Sequence, residues 1–167
     1  MAATVEIDES NGAGETVTHN VKSTNMGDRD AANLDPVTYP IKPGNRSFIK
    51  YLRIHVTAMG GSSKIDNIRV WRAGALGGSA RLVTNARSEG YRGALKYAAP
   101  VKIEVPDVDQ AMPTGAPDTA NVGIGGSLTG NLREPGYSDY IGVQMVIGSG
   151  DTQGSSSDLR FQWDEVA

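Results

Sequence analysis

Apolar and polar positions alternate most clearly over residues 48–57. Phe48, Leu52, Ile54 and Val56 share one parity, and Tyr51, Arg53, His55 and Thr57 share the other. A strand sends successive side chains to opposite faces, so this pattern predicts a half-buried β-strand. Downstream, Ile68 and Val70 alternate with Asn67, Arg69 and Trp71, and the connector over 59–64 carries Gly60, Gly61, Ser62 and Ser63. Two alternating runs across a short glycine-containing connector predict a hairpin at the centre of a sheet. A second pair follows the same logic. Ile141, Val143, Met145 and Ile147 point one way; later Leu159, Phe161 and Trp163 alternate with Arg160, Gln162 and Asp164. These two runs predict a hairpin whose long, flexible tip is the glycine- and serine-rich stretch 148–158.

Weaker runs predict further short strands over 4–7, 16–21, 80–84, 90–98 and 101–105, the last bounded by Pro100 and Pro106. In 121–130 the apolar residues Val122, Ile124 and Leu128 are interrupted by glycine, which signals a bulge or a close backbone approach. Residues 107–119 and 133–136 are expected as a loop and a turn. No segment sustains a helical period, and no fixed-period repeat is present. Eight or nine short strands between turn signals predict an all-β chain, a β-sandwich or jelly-roll-like single domain over residues 45–167. Apolar periodicity fades over 22–44, so residues 1–44 are expected as an extended N-terminal arm and connection. An arm over residues 1–35 has two readings: it lies on another molecule, or it wraps the domain's own surface.

Composition narrows the picture. Hydrophobic residues make up 38% and aromatics 6% of the 167 residues, so the core should be thin, as in two packed sheets. Net charge is −3 and the pI near 5.3. No basic excess is available to neutralise phosphates, which disfavours nucleic acid as a partner. No apolar run approaches the length of a membrane-spanning helix. The first residues, Met-Ala-Ala-Thr-Val-Glu-Ile-Asp, lack the basic and apolar regions of a signal peptide. Cysteine is absent, which excludes disulfides and thiolate metal sites and suits assembly in a reducing cytosol.

Candidate chemistry is sparse. Asp28, Asp30, Asn33 and Asp35 cluster in one segment, but Asn33 stands where an EF-hand loop requires glycine, so turn-forming roles are expected instead of calcium binding. Asp107 and Asp109 also fit a turn. The run Gly123-Ile124-Gly125-Gly126 lacks the third glycine of a dinucleotide fingerprint, because Leu128 occupies that position, and flexibility is the expected reading. His19 and His55 fall on separate expected strands; with two histidines and no cysteine, no metal centre is expected, and His55 reads as a surface residue. Asn45-Arg46-Ser47 matches a glycosylation pattern without a secretory context. Tyr137, Tyr140, Trp71 and Trp163 are the aromatics available to stack on a sugar, with core or interface packing the alternative. No acid, base and nucleophile constellation is present, so no enzymatic activity and no cofactor are expected.

The segments Asp-Ala-Ala-Asn-Leu (30–34), Tyr-Pro-Ile (39–41), Lys-Tyr-Leu-Arg-Ile-His-Val-Thr (50–57), Ile-Asp-Asn-Ile-Arg-Val-Trp (65–71), Gly-Ile-Gly-Gly-Ser-Leu-Thr-Gly (123–130), Pro-Gly-Tyr-Ser-Asp-Tyr (135–140) and Phe-Gln-Trp-Asp-Glu (161–165) together resemble small structural proteins of tailed-bacteriophage virions. The resemblance spans most of residues 30–167. It implies a virion component, foremost a capsid decoration (cement) protein that oligomerises on the shell and bridges capsomers. The partner it implies is the major capsid protein or another virion protein. Under this reading residues 1–44 and the glycine-rich tips make the contacts, and Asp28, Asp30, Asn33, Leu34, Tyr39, Tyr137 and Tyr140 are the candidate interface residues. Removal of residues 1–35 is then expected to leave a folded domain. A neck, tail or baseplate component, or a carbohydrate-binding module on the virion surface, are the alternative functions.

Overall fold

A computed structural model describes residues 1–151 and 157–167. Its nine strands are β1 (Thr4–Asn11), β2 (Thr16–Thr18), β3 (Lys50–Ala58), β4 (Lys64–Ala73), β5 (Arg81–Thr84), β6 (Gln110–Ala111), β7 (Gly136–Tyr137), β8 (Ile141–Val146) and β9 (Asp158–Val166). There is no helix among the described residues, and all strand pairs are antiparallel. The chain is all-β. Seven strands form one sheet in the order β2-β1-β3-β8-β5-β6, with β7 also on β3; β4 and β9 form a second, two-stranded sheet. This uneven division departs from the pair of Greek keys in a jelly roll.

The core lies between the two sheets. Leu52 and Ile54 of β3 and Ile141 and Val143 of β8 meet Ile68 and Val70 of β4, with Phe161 and Trp163 of β9 packed at the margin. Each such side chain, fully removed from water, contributes about 1.5–3 kcal/mol. In β4 a bulge between Asp66 and Arg69 resets the alternation, so that Ile65 and Ile68 are both buried. Asn67 takes a left-handed conformation there (φ 52°), which asparagine tolerates better than most residues.

Neither expected hairpin forms. A strand has two edges, and both edges of β3 are taken by other partners. β1 pairs along one, from Val5↔Val56 to Ser10↔Tyr51. β8 and β7 share the other, through Leu52↔Ile141 and His55↔Tyr137. Between them Ser138 continues the pairing, its hydroxyl accepting from the Ile54 N–H (3.0 Å) and its own N–H donating to the Ile54 carbonyl (2.9 Å). β4 therefore crosses to the second layer and pairs β9. β8 is likewise held on both edges, by β3 and β5, so β9 leaves it. Of the loop expected as a flexible tip, 152–156 lie outside the described residues. At its start Asp151 accepts from the backbone N–H groups of Ser79 (2.7 Å) and Gly148 (2.7 Å).

The expected N-terminal arm divides in two. Residues 4–18 are not an arm: β1 is an interior strand of the large sheet, with Asp8, Glu9 and Ser10 buried. From 19 to 49 the chain runs without strand or helix apart from one bridge at Arg46, as expected over 22–44, while the strands expected over 16–21 and from 48 stop at Thr18 and start at Lys50. This connection is tied down. Lys50 and Glu9 form a buried ion pair (2.6 Å), and Lys50 also donates to the Ala31 carbonyl. Asp30 accepts from Asn11 (3.0 Å) and from the Gly12 N–H (2.8 Å).

The outer face of the large sheet is also covered. Ile49, Tyr51, Val83 and Val108 pack with Leu95, Tyr97, Val105, Tyr140 and Val146. Residues 90–98 and 101–105, expected as strands, lie across this face instead of joining a ladder. They anchor through single bonds, from Ile49 N–H to the Val101 carbonyl (3.0 Å) and from the Gln144 amide to the Ile103 carbonyl (2.9 Å). Conversely, β6 and β7 form where a loop and a turn are expected, each only two residues long.

Candidate functional site

The part of the outer face left open by residues 90–108 carries the most concentrated chemistry in the described residues. It follows from register. In β1 Glu6 and Asp8 share a parity. Across from them in β3 stand His55, opposite Glu6, and Arg53, opposite Asp8; on the far side of β3 Tyr137 stands opposite His55. Glu6, His55 and Tyr137 thus form one row across three strands. A fourth group arrives from outside the sheet. After β2 the chain folds back over β1, fixed by the Val21 N–H bond to the Ile7 carbonyl (2.8 Å). The left-handed Asn20 (φ 52°) makes the bend, and its N–H donates to Asp8 Oδ1 (3.1 Å). This brings His19 above the carboxylates.

The chain's two histidines therefore meet. His19 Nδ1 lies 2.7 Å from Asp8 Oδ2 and 3.4 Å from Glu6 Oε1; His55 Nδ1 lies 2.9 Å and 3.0 Å from the same two atoms. The imidazole centroids are 5.6 Å apart. Asp8 is buried, Glu6 and His55 are mostly buried, and His19 is 56% exposed at its side chain. The His55 ring is stacked on Tyr137 at 4.1 Å with 18° between planes. Arg53 places its guanidinium 4.0 Å from the Tyr137 centroid and 4.4 Å from that of Tyr140, a cation–π contact on both rings. Burial, then the negative charge of Asp8, pushes the Tyr137 phenol above its ordinary value.

The expectation that His55 is a surface residue fails, and His19, expected on a strand of its own, lies just after β2; the two meet because strand pairing joins positions 49 residues apart and the turn after β2 brings in the second ring. Sequence alone shows only that Glu6 and Asp8, and Arg53 and His55, each share a strand face.

The expected interface residues separate into two groups. Asp28 pairs with Lys102, and its N–H donates to the Tyr39 carbonyl (2.9 Å). Asp30 is held by β1, Leu34 is buried, and Asn33 is exposed with φ 52°. Tyr39 is half-buried under Arg29, 4.8 Å from its ring centroid. Tyr137 and Tyr140 belong instead to the outer face described above. The four aromatics considered for sugar stacking do not share a face. Trp163 packs toward the core and Trp71 stands opposite Arg160 on the other side of the small sheet, while the tyrosines belong to the large sheet.

The glycine run, expected to be flexible, is clamped. Asp139 accepts from the Tyr91 hydroxyl (2.6 Å) and the Gly126 N–H (3.0 Å), and the Tyr91 oxygen accepts from the Gly123 N–H (3.1 Å). A Cβ on Gly123 would meet Asp139 Oδ2 at 2.5 Å. Desolvation, then the bond to Asp139, raises the Tyr91 phenol far above its ordinary value. Close backbone approach is the reason for that glycine. No family model, curated protein or solved structure matches this chain.

Proposed function

We propose that the chain is a structural protein of a tailed-phage virion, acting as a capsid decoration protein that binds the outer shell and bridges capsomers. The resemblance noted in the sequence motivates this reading, and one surface feature carries it. Val37 is 86% and Ile103 70% exposed. They sit on two irregular segments joined by the Asp28–Lys102 ion pair, with Lys102 also over the Phe48 ring at 5.8 Å. The first of these segments is pinned to the body through Asp30 and Ala31. A surface already ordered before contact loses little conformational entropy on binding, so modest apolar contacts repeated over a symmetric shell suffice. Tyr39, whose carbonyl accepts from the Asp28 N–H, lies beside this ion pair; Asn33 is exposed and Leu34 buried in the same segment.

The test is co-sedimentation of the purified protein with expanded, undecorated heads, counting copies bound per shell. Saturable binding at a number set by capsid symmetry is expected. Val37→Asp with Ile103→Asp is expected to weaken it about tenfold or more, in line with losing two apolar contacts, at unchanged Tm. An absence of binding to heads moves the assignment to the neck, tail or baseplate.

A further inference from the structure

We propose that Glu6, Asp8, His19 and His55 form a binding site for one divalent transition-metal ion of the zinc type. The proposal is independent of any virion role. Each residue offers one ligand atom, and the four atoms all lie within 4.8 Å of one another. The four nitrogen–oxygen separations are 2.7, 2.9, 3.0 and 3.4 Å. A tetrahedral ion with bonds of about 2.0–2.1 Å needs donors about 3.3–3.4 Å apart. The four nitrogen–oxygen edges are at or a few tenths of an ångström below that length, and all four donors fall inside a 4.8 Å span, the size one such ion bridges. The shortest edge, His19 to Asp8 at 2.7 Å, involves the largely exposed His19 ring, and the other short edges open by small shifts of the Glu6 and His55 side chains.

The donor set selects the ion. Two imidazoles with two carboxylates suit zinc and its neighbours, whereas calcium and magnesium take six or more oxygens or retain water. The surroundings orient the ligands as outer partners of metal sites do. The Asn20 N–H holds the second oxygen of Asp8 (3.1 Å), and the Tyr137 ring fixes the plane of His55. Arg53 offsets part of the two carboxylate charges. With all four positions filled by the protein, the ion has a structural role: it fastens β1, β3 and the segment after β2 to each other.

The experiment uses the untagged chain after dialysis against a chelator. Cobalt(II) is titrated in while visible absorption is followed, then displaced with zinc. The expected result is one cobalt per chain with the intense bands of a tetrahedral ion, stoichiometric displacement by zinc, and a zinc-dependent rise in Tm. His19→Ala should weaken zinc binding by about 100-fold or more, beyond what loss of an outer partner does, and should abolish the rise in Tm. Because His19 also contacts the buried Asp8 carboxylate, each variant's zinc-induced change in Tm is read against its own metal-free Tm. Glu6→Gln, which preserves shape, is the second variant and should also weaken binding. No saturable binding at micromolar cobalt or zinc, a weak six-coordinate spectrum, or affinity unchanged in both variants would overturn the proposal.

Discussion

Asn121 illustrates how single side chains complete this fold. It is buried, and its amide pairs with the backbone of β4 as a strand would: Oδ1 accepts from the Val70 N–H (2.8 Å) and Nδ2 donates to the Val70 carbonyl (2.8 Å). Asn121→Ala leaves both backbone groups buried without partners, and a loss of about 2–4 kcal/mol is expected in denaturant unfolding. The Lys50–Glu9 pair is a second case. Lys50 is 1% and Glu9 0% exposed at the side chain. Removing one member strands a buried charge, so Lys50→Met should cost about 3–5 kcal/mol. Lys50→Met combined with Glu9→Leu should cost less than the single change. A double variant no better than the single one would mean that the hydrogen bonds the pair makes, from Asn11 to Glu9 (3.0 Å) and from Lys50 to the Ala31 carbonyl, matter more than the charge.

At the scale of elements, β1 is the strand whose role sequence conceals. It pairs β3 over seven registered positions and carries two of the four ligands proposed for the metal. Deleting residues 1–11 should abolish cooperative folding, read as loss of the thermal transition, whereas an arm would be dispensable. The alternating runs of β3, β4, β8 and β9 were legible because their apolar residues face one core. Their pairing was not, since alternation records faces and is silent on edges. Residues 101–105 alternate just as clearly, yet Lys102 and Ile103 face solvent while the backbone crosses the sheet. The histidine cluster was hidden for the same reason: its members lie on β1, β3 and a turn, and only long-range register unites them.

For the whole molecule, four surface carboxylates contribute to the response to acid. Asp35, Asp109, Asp151 and Glu165 all have lowered pKa values. The causes named first are the Thr38 hydroxyl, the Arg87 guanidinium, the Ser79 N–H and the Ala3 N–H, respectively. A carboxylate whose pKa is lower in the folded state stabilises above its unfolded value, and that contribution is lost as pH falls through the folded value. These four groups should therefore lower Tm as pH falls below about 4, where they begin to protonate. Asp151→Asn, which keeps the side-chain shape, should lower the neutral Tm slightly and flatten the decline.

The sheet order has a consequence for how copies of the chain meet. The large sheet ends in β2, three residues long, and β6, two residues long. Such stubs offer little template for another backbone. Among the described residues no strand covers the far side of β9, nine residues long, but Arg160, Asp164 and Glu165 interrupt its apolar side chains with charge. At these three borders, growth by strand addition, the route to fibres and precipitates, is disfavoured.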